Sequence, residues 1–165
     1  MDGRSSLANA LEINLRLLNM LCIGPNMDFN FSTNNFDWCM DLAEVDDNDN
    51  RSFRVVFQLD LKHPTGKFVF SADDVWFDAD DWGKFEAGLE NWPNSDESII
   101  ALADMSQYIT FSLKNDVTEM TASISVCEPL ADGHDARLHF KNRIDRDGKF
   151  LSRMRDCFSN WPKHW

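Results

Sequence analysis

Apolar and polar residues alternate with a period of two along most of the chain. Leu11, Ile13, Leu15 and Leu17 are separated by Glu12, Asn14 and Arg16; Phe36, Trp38, Met40 and Leu42 repeat the pattern, as do Phe53, Val55, Phe57, Leu59 and Leu61. That period places apolar groups on one face of a half-buried strand. Between the last two runs, Asp46 to Asn50 reads as a polar loop. His63-Pro64-Thr65-Gly66 reads as a turn, because Pro presets one backbone angle and Gly supplies the unusual one; Lys67 to Ser71 then starts the returning strand of a hairpin. Further strands are expected at Ile99–Met105, Tyr108–Lys114, Met120–Val126 and Ala136–Asn142, joined by short polar links.

Two segments change period. Trp82, Phe85, Leu89 and Trp92 fall at helical spacing after Asp78, and Phe150, Leu151, Met154, Phe158 and Trp161 do so after Asp145 and Asp147. The spacing predicts amphipathic helices over about 79–92 and about 147–161. Each ends on Asn-Trp-Pro, where Pro excludes the helical conformation of the residue before it and the Trp folds back onto the sheet. The expected fold is α+β: a mostly antiparallel, strongly twisted sheet of about seven to nine strands covered by two helices. At 165 residues the whole chain, 1–165, is expected to be one domain with a substantial core.

Composition supplies that core: 43% of residues are apolar, and the 13 Phe and 6 Trp exclude a disordered tail. The formal net charge of -12 disfavours nucleic-acid backbones and anionic membrane surfaces and favours a basic protein partner. Positions 134–165 carry eight Lys/Arg against four Asp/Glu, so the acidity belongs to the first four-fifths of the chain. Cys22, Cys39, Cys127 and Cys157 are far apart, with no CxxC pair and no signal peptide, which reads as reduced thiols and a cytoplasmic location.

Candidate chemistry centres on the five aspartates between Asp73 and Asp81. Asp78 is placed as a helix N-cap, and Asp80 and Asp81 meet the positive end of the helix dipole. Asp73, Asp74, Glu86 and Glu90 have no such local duty and are free to contact a partner. A calcium loop starting at Asp46 fails on its own pattern, because Arg51 stands where Gly is required and Phe57 where the last acid belongs. The four His share no metal spacing, and phosphate-binding glycine loops and nucleophile elbows are absent, so no metal, no cofactor and no catalytic group is expected.

The order of elements resembles the immunity proteins of the WapI type that accompany bacterial polymorphic toxins. The resemblance lies in an N-terminal alternating strand and a strand carrying Asn35 and Trp38 in "NFDWCMDLAEV". It continues through the acidic lead into the first helix, "FSADDVWFDADDWGKFEAGLENW", and the strand pair of "LADMSQYITFSL". It ends in a strand passing directly into a helix that closes on aromatic-Pro, "LHFKNRIDRDGKFLSRMRDCFSNWP". The resemblance implies a cytoplasmic protein that neutralises the toxic C-terminal domain of a delivered effector, often a nuclease, without chemistry of its own. The charge fits that independently, since an acidic protein gains affinity and association rate against a basic domain. The residues expected to meet the partner are Asp46, Asp47, Asp49, Asp73, Asp74, Trp76, Asp80, Asp81, Glu86 and Glu90. The other readings of the sequence are a non-inhibitory interaction or assembly module, and a small-ligand binder or enzyme that would need a deep pocket with inward-facing ionisable groups.

Overall fold

The computed structural model describes residues 28–46, 51–93, 98–129 and 135–163. The strand expected at 11–17, Cys22, the loop residues Asp47 and Asp49, and Trp165 lie outside the described residues. The period-two runs fold as strands: β1 (Phe29–Ser32), β2 (Phe36–Asp46), β3 (Ser52–His63), β4 (Gly66–Asp78), β5 (Ser98–Ala103), β6 (Ile109–Asn115), β7 (Met120–Pro129) and β8 (Asp135–Ile144). The two helical runs become α1 (Ala79–Asn91) and α2 (Lys149–Ser159), each slightly shorter than its pattern. No helix among the described residues is long and apolar enough to cross a membrane.

The expectation of one sheet is corrected. The described strands form two four-stranded antiparallel sheets, ordered β1-β2-β3-β4 and β5-β6-β7-β8. Alternation fixes which face of a strand is buried but not which strand lies beside it. Here α1 intervenes between β4 and β5, and the chain leaves the first sheet to begin a second.

The described residues thus form two successive units of four strands and a helix. The first strand-to-strand connection of each unit, spanning the four residues Thr33 to Phe36 in one and the six residues Asp104 to Ile109 in the other, closes alike. Thr33 N–H donates to the Phe36 carbonyl at 2.8 Å while Thr33 Oγ1 accepts from Phe36 N–H at 2.9 Å. In the second unit Asp104 N–H donates to the Ile109 carbonyl at 3.0 Å while Asp104 Oδ1 accepts from Ile109 N–H at 2.6 Å. The helices correspond too, with Trp82, Phe85, Leu89 and Trp92 matched in spacing by Leu151, Met154, Phe158 and Trp161, all buried.

Each helix crosses to the other unit. α1 packs on β5 as well as on β4, α2 packs on β1, and the helices touch each other. Gly88 permits the first contact: a Cβ there would lie 3.3 Å from Ile100 Cγ2. On the other side α2 covers the open edge of β1, where the Asn30 carbonyl accepts from Cys157 Sγ at 3.3 Å and the Ser32 carbonyl accepts from Arg153.

Aromatic rings fill the space between these layers. Trp38 reaches Phe111 of the opposite sheet with ring centroids 4.8 Å apart, and Phe36 reaches Phe140 at 5.4 Å. Trp82 sits between Phe53 at 5.2 Å, Phe158 at 4.8 Å and Trp161 at 5.2 Å. Tilted and edge-on ring pairs of this kind add about 0.5–1.5 kcal/mol each beyond the area they bury. Trp92 and Trp161, which close the helices, are both buried as the Asn-Trp-Pro pattern predicts.

Candidate protein-binding surface

The acidic segment is partly strand. Residues 73 to 78 belong to β4, which runs straight into α1. Asp78 caps the helix as predicted, its Oδ1 accepting from Asp80 N–H at 2.9 Å and Asp81 N–H at 3.0 Å. Asp80 and Asp81 occupy the first turn and are exposed. The Asp81 carboxylate hydrogen-bonds Lys84 at 2.7 Å, and this bond, reinforced by the charges of Asp81, Asp80 and Asp78, pushes the Lys84 pKa up.

Asp74 and Glu86 are not idle, contrary to the sequence reading. Asp74 Oδ1 accepts from the indole N–H of Trp76 at 2.9 Å, which fixes the half-buried ring on the outer face of β4. Across the strand, Arg54 is paired with Trp76 in register; it reaches Glu44 at 3.2 Å and donates to the Asp73 carbonyl at 3.0 Å. Glu86 binds Lys163 at 2.6 Å, so its charge is answered within the chain.

The residues that sequence reasoning missed come from the β5–β6 turn. Met105 N–H donates to the Trp76 carbonyl at 2.8 Å, which brings Met105, 52% exposed, beside the tryptophan. The same turn carries Tyr108, 47% exposed. It is held from below by Asp104, 5% exposed, whose carboxylate accepts from Ser106 N–H at 3.1 Å and Ile109 N–H at 2.6 Å. Asp78, Asp81, Lys84, Asp104, Met105 and Gln107 line a cleft of about 350 Å³ between this turn and the start of α1. Trp76 and Met105 are thus joined through their backbones, with Asp74 on the tryptophan and Met105 sharing the cleft with Asp78, Asp81 and Lys84.

Not every predicted residue joins it. Asp46 closes β2, and the register Asp46–Ser52–Asp78 places it two strands from the helix cap at the same end of the sheet. Asp73 lies further along β4, opposite the register shift between Val55 and Phe57. Glu90 is about 13 Å along α1 from Asp81 at 1.5 Å per residue. Asp47 and Asp49 lie outside the described residues.

Other polar groupings carry less chemistry. A larger cleft of about 760 Å³ occupies the corresponding place at the start of α2, lined by Thr33, Asn35, Lys62, Asn142, Arg143 and Arg153 among others. Lys62 there is held by Asp37 at 2.7 Å, and the Arg153 guanidinium lies 5.4 Å from the Phe31 ring centre. Ser125 Oγ and His139 Nδ1 lie 2.8 Å apart, but as a cross-strand pair on the open face of β7 and β8. Among the described residues no carboxylate is hydrogen-bonded to the pair to orient it, as a nucleophile's base would require. No group of three or more His, Cys, Asp or Glu among the described residues is arranged to hold a metal ion. Cys127 and Cys157 are free thiols, and burial pushes the Cys157 pKa up. No protein-family model, no curated protein and no solved structure matches the chain.

Proposed function

We propose that this chain is a non-catalytic inhibitor of the immunity type, which binds a basic toxin domain and occludes it. The observation that carries the reading is the turn with exposed Met105, bonded to the backbone of the Asp74-held Trp76 and set against the acidic start of α1. Interface energy concentrates in a few aromatic or other large side chains surrounded by polar groups that exclude water, and a ring already oriented by Asp74 loses little freedom on binding. Carboxylates at the rim favour a basic partner through faster encounter more than through tighter final contact. The cytoplasmic location and the resemblance to WapI-type immunity proteins belong to the same proposal.

Co-expression with the toxin domain encoded beside its gene tests it. Rescue of growth and co-purification are expected, and Trp76→Ala should abolish both while the purified variant keeps its melting temperature within a few degrees. Asp74→Asn and Asp81→Lys should slow association most at low salt, because the Debye length shrinks from roughly 30 Å at 0.01 M to 10 Å at 0.1 M. Absence of rescue and of co-purification by the folded wild-type chain would overturn the proposal.

A further inference from the structure

Among the described residues, the outer edge of β4 is the remaining open edge of the first sheet. The edge of β1 is covered by α2, whereas β4 pairs only with β3 along Gly66 to Ala72 among the described residues. A two-residue turn closes on the hydrogen-bonded pair His63–Gly66, so alternation turns the backbone N–H and C=O groups of Lys67, Val69 and Ser71 away from β3. The stretch is also apolar and exposed: Phe68 is 46% and Val69 43% exposed, and Phe70 is only half-buried. An open, flat, apolar strand edge is a template for pairing with another chain.

The sequence of this edge is complementary to itself. Laid antiparallel on a second copy with the two-fold axis at Phe70, Lys67 falls opposite Asp73 of the copy, Phe68 opposite Ala72, and Val69 opposite Ser71. In this register Val69 and Ser71, whose backbone groups point outward, face one another, as the ladder requires. The two Phe70 rings meet at the axis, Phe68 is covered, and each end gains an opposite-charge pair. The straight part of β4 ends at Ala72, so the ladder itself spans Phe68 to Ala72 and the Lys67–Asp73 charge pair lies at its margin. The other open edge, β8, carries Arg137, Lys141 and Arg143, and on itself would oppose like charges. We propose that β4 pairs antiparallel with β4 of a second copy, joining two first sheets into one continuous eight-stranded sheet and making the protein a closed two-fold dimer.

Sedimentation equilibrium of the full chain between about 1 and 100 µM, the range in which modest interfaces associate, should show a monomer–dimer equilibrium with nothing larger. Asp73→Lys should weaken the dimer about tenfold by setting Lys against Lys67 at both ends, and the Asp73→Lys, Lys67→Asp double variant should restore it. The single Lys67→Asp is less clean, because Lys67 also binds Asp60 at 2.5 Å within its own sheet. Ser71→Pro, which removes an outward N–H, should give monomers that melt cooperatively. A folded wild-type chain that stays monomeric up to 100 µM, assembles beyond the dimer, or forms a dimer indifferent to the Asp73 swap and to Ser71→Pro would overturn the pairing.

Discussion

Replacing Asp104 by Ala tests how the turn that carries Met105 and Tyr108 is held. Two acceptor contacts are lost, at 2.6 Å to Ile109 N–H and 3.1 Å to Ser106 N–H. Ser106 is exposed and its N–H turns to water, so that loss is small. Ile109 is 5% exposed, and its amide is left buried without an acceptor. A hydrogen bond to a charged acceptor contributes about 1.5–3 kcal/mol, and an orphaned buried donor costs about 1–3 kcal/mol. Removing a carboxylate that is itself withdrawn from water opposes part of this, which leaves a net destabilisation of about 2 kcal/mol. Asp104→Asn keeps one acceptor and should lose about half as much. In urea, with a slope of about 2 kcal/mol/M, the Ala variant's midpoint should fall by about 1 M at unchanged slope. Thr33 supplies the comparison: its hydroxyl makes the equivalent bond to Phe36 N–H as a neutral acceptor, so Thr33→Val should cost only about 1 kcal/mol. A loss below about 0.5 kcal/mol for Asp104→Ala, or equal losses at the two turns, would show that the carboxylate does not hold the turn.

Trp82 touches Phe53, Phe77, Phe158 and Trp161, and its indole N–H has no acceptor among the described residues. Trp82→Ala should therefore cost about 3–5 kcal/mol, whereas Trp82→Phe, which keeps a ring and removes an unpaired donor, should cost about 1 kcal/mol by the same urea titration. Asp78→Ala removes the acceptor for two amides of α1 and should cost about 1 kcal/mol. Burial, and then the neighbouring Asp28 charge, push the Asp41 pKa up. The native state therefore holds that proton more tightly than the unfolded chain, and the contribution of Asp41 to stability is lost as pH rises through its raised pKa. Asp41→Asn should stabilise the protein at pH 7 by about a few tenths of a kcal/mol, since the group is exposed, and should give no gain near pH 3. A gain equal at both pH values would remove the charge explanation.

Local interactions were legible in the sequence, and those between distant segments were not. The strands from Phe36 to Leu61 and the cap at Asp78 depend on neighbours a few positions away, so period and residue type suffice to find them. The Glu86–Lys163 pair joins positions 77 residues apart, and no local pattern reports it. The split into two sheets was hidden because β4 and β5 carry the same alternation as strands that do pair. Asp104 had a readable signal. An Asp that accepts from the N–H two residues on, followed by Ser and Gln, is a turn former, yet the apolar run from Ile99 drew the expected strand through to Met105. Once that strand ends at Ala103, the turn comes free to meet Trp76, and the candidate surface follows from it.

The exchange of helices predicts that the two units melt as one cooperative body, and removing α2 should show it. Phe158 lies within 5.2 Å of Phe29, 6.1 Å of Trp38, 4.8 Å of Trp82 and 5.0 Å of Phe85, so its partners belong to the first sheet and to α1 rather than to the sheet that precedes it. Trp161 likewise lies 5.9 Å from Phe53 and 6.3 Å from Phe29. Truncation after Ile144 therefore strips the aromatic floor of the first unit and uncovers the Asn30 and Ser32 carbonyls on the edge of β1. The deleted apolar side chains, Leu151, Met154, Phe158 and Trp161, each contribute about 2–5 kcal/mol by truncation, and together they match or exceed the usual total stability of a domain this size. The shortened chain should lose its cooperative thermal transition in both sheets together, and a peptide of residues 145–165 added in trans should restore it. If instead the truncated chain melts with one sheet intact, the units are independent domains, and the helix exchange is only a surface contact between them.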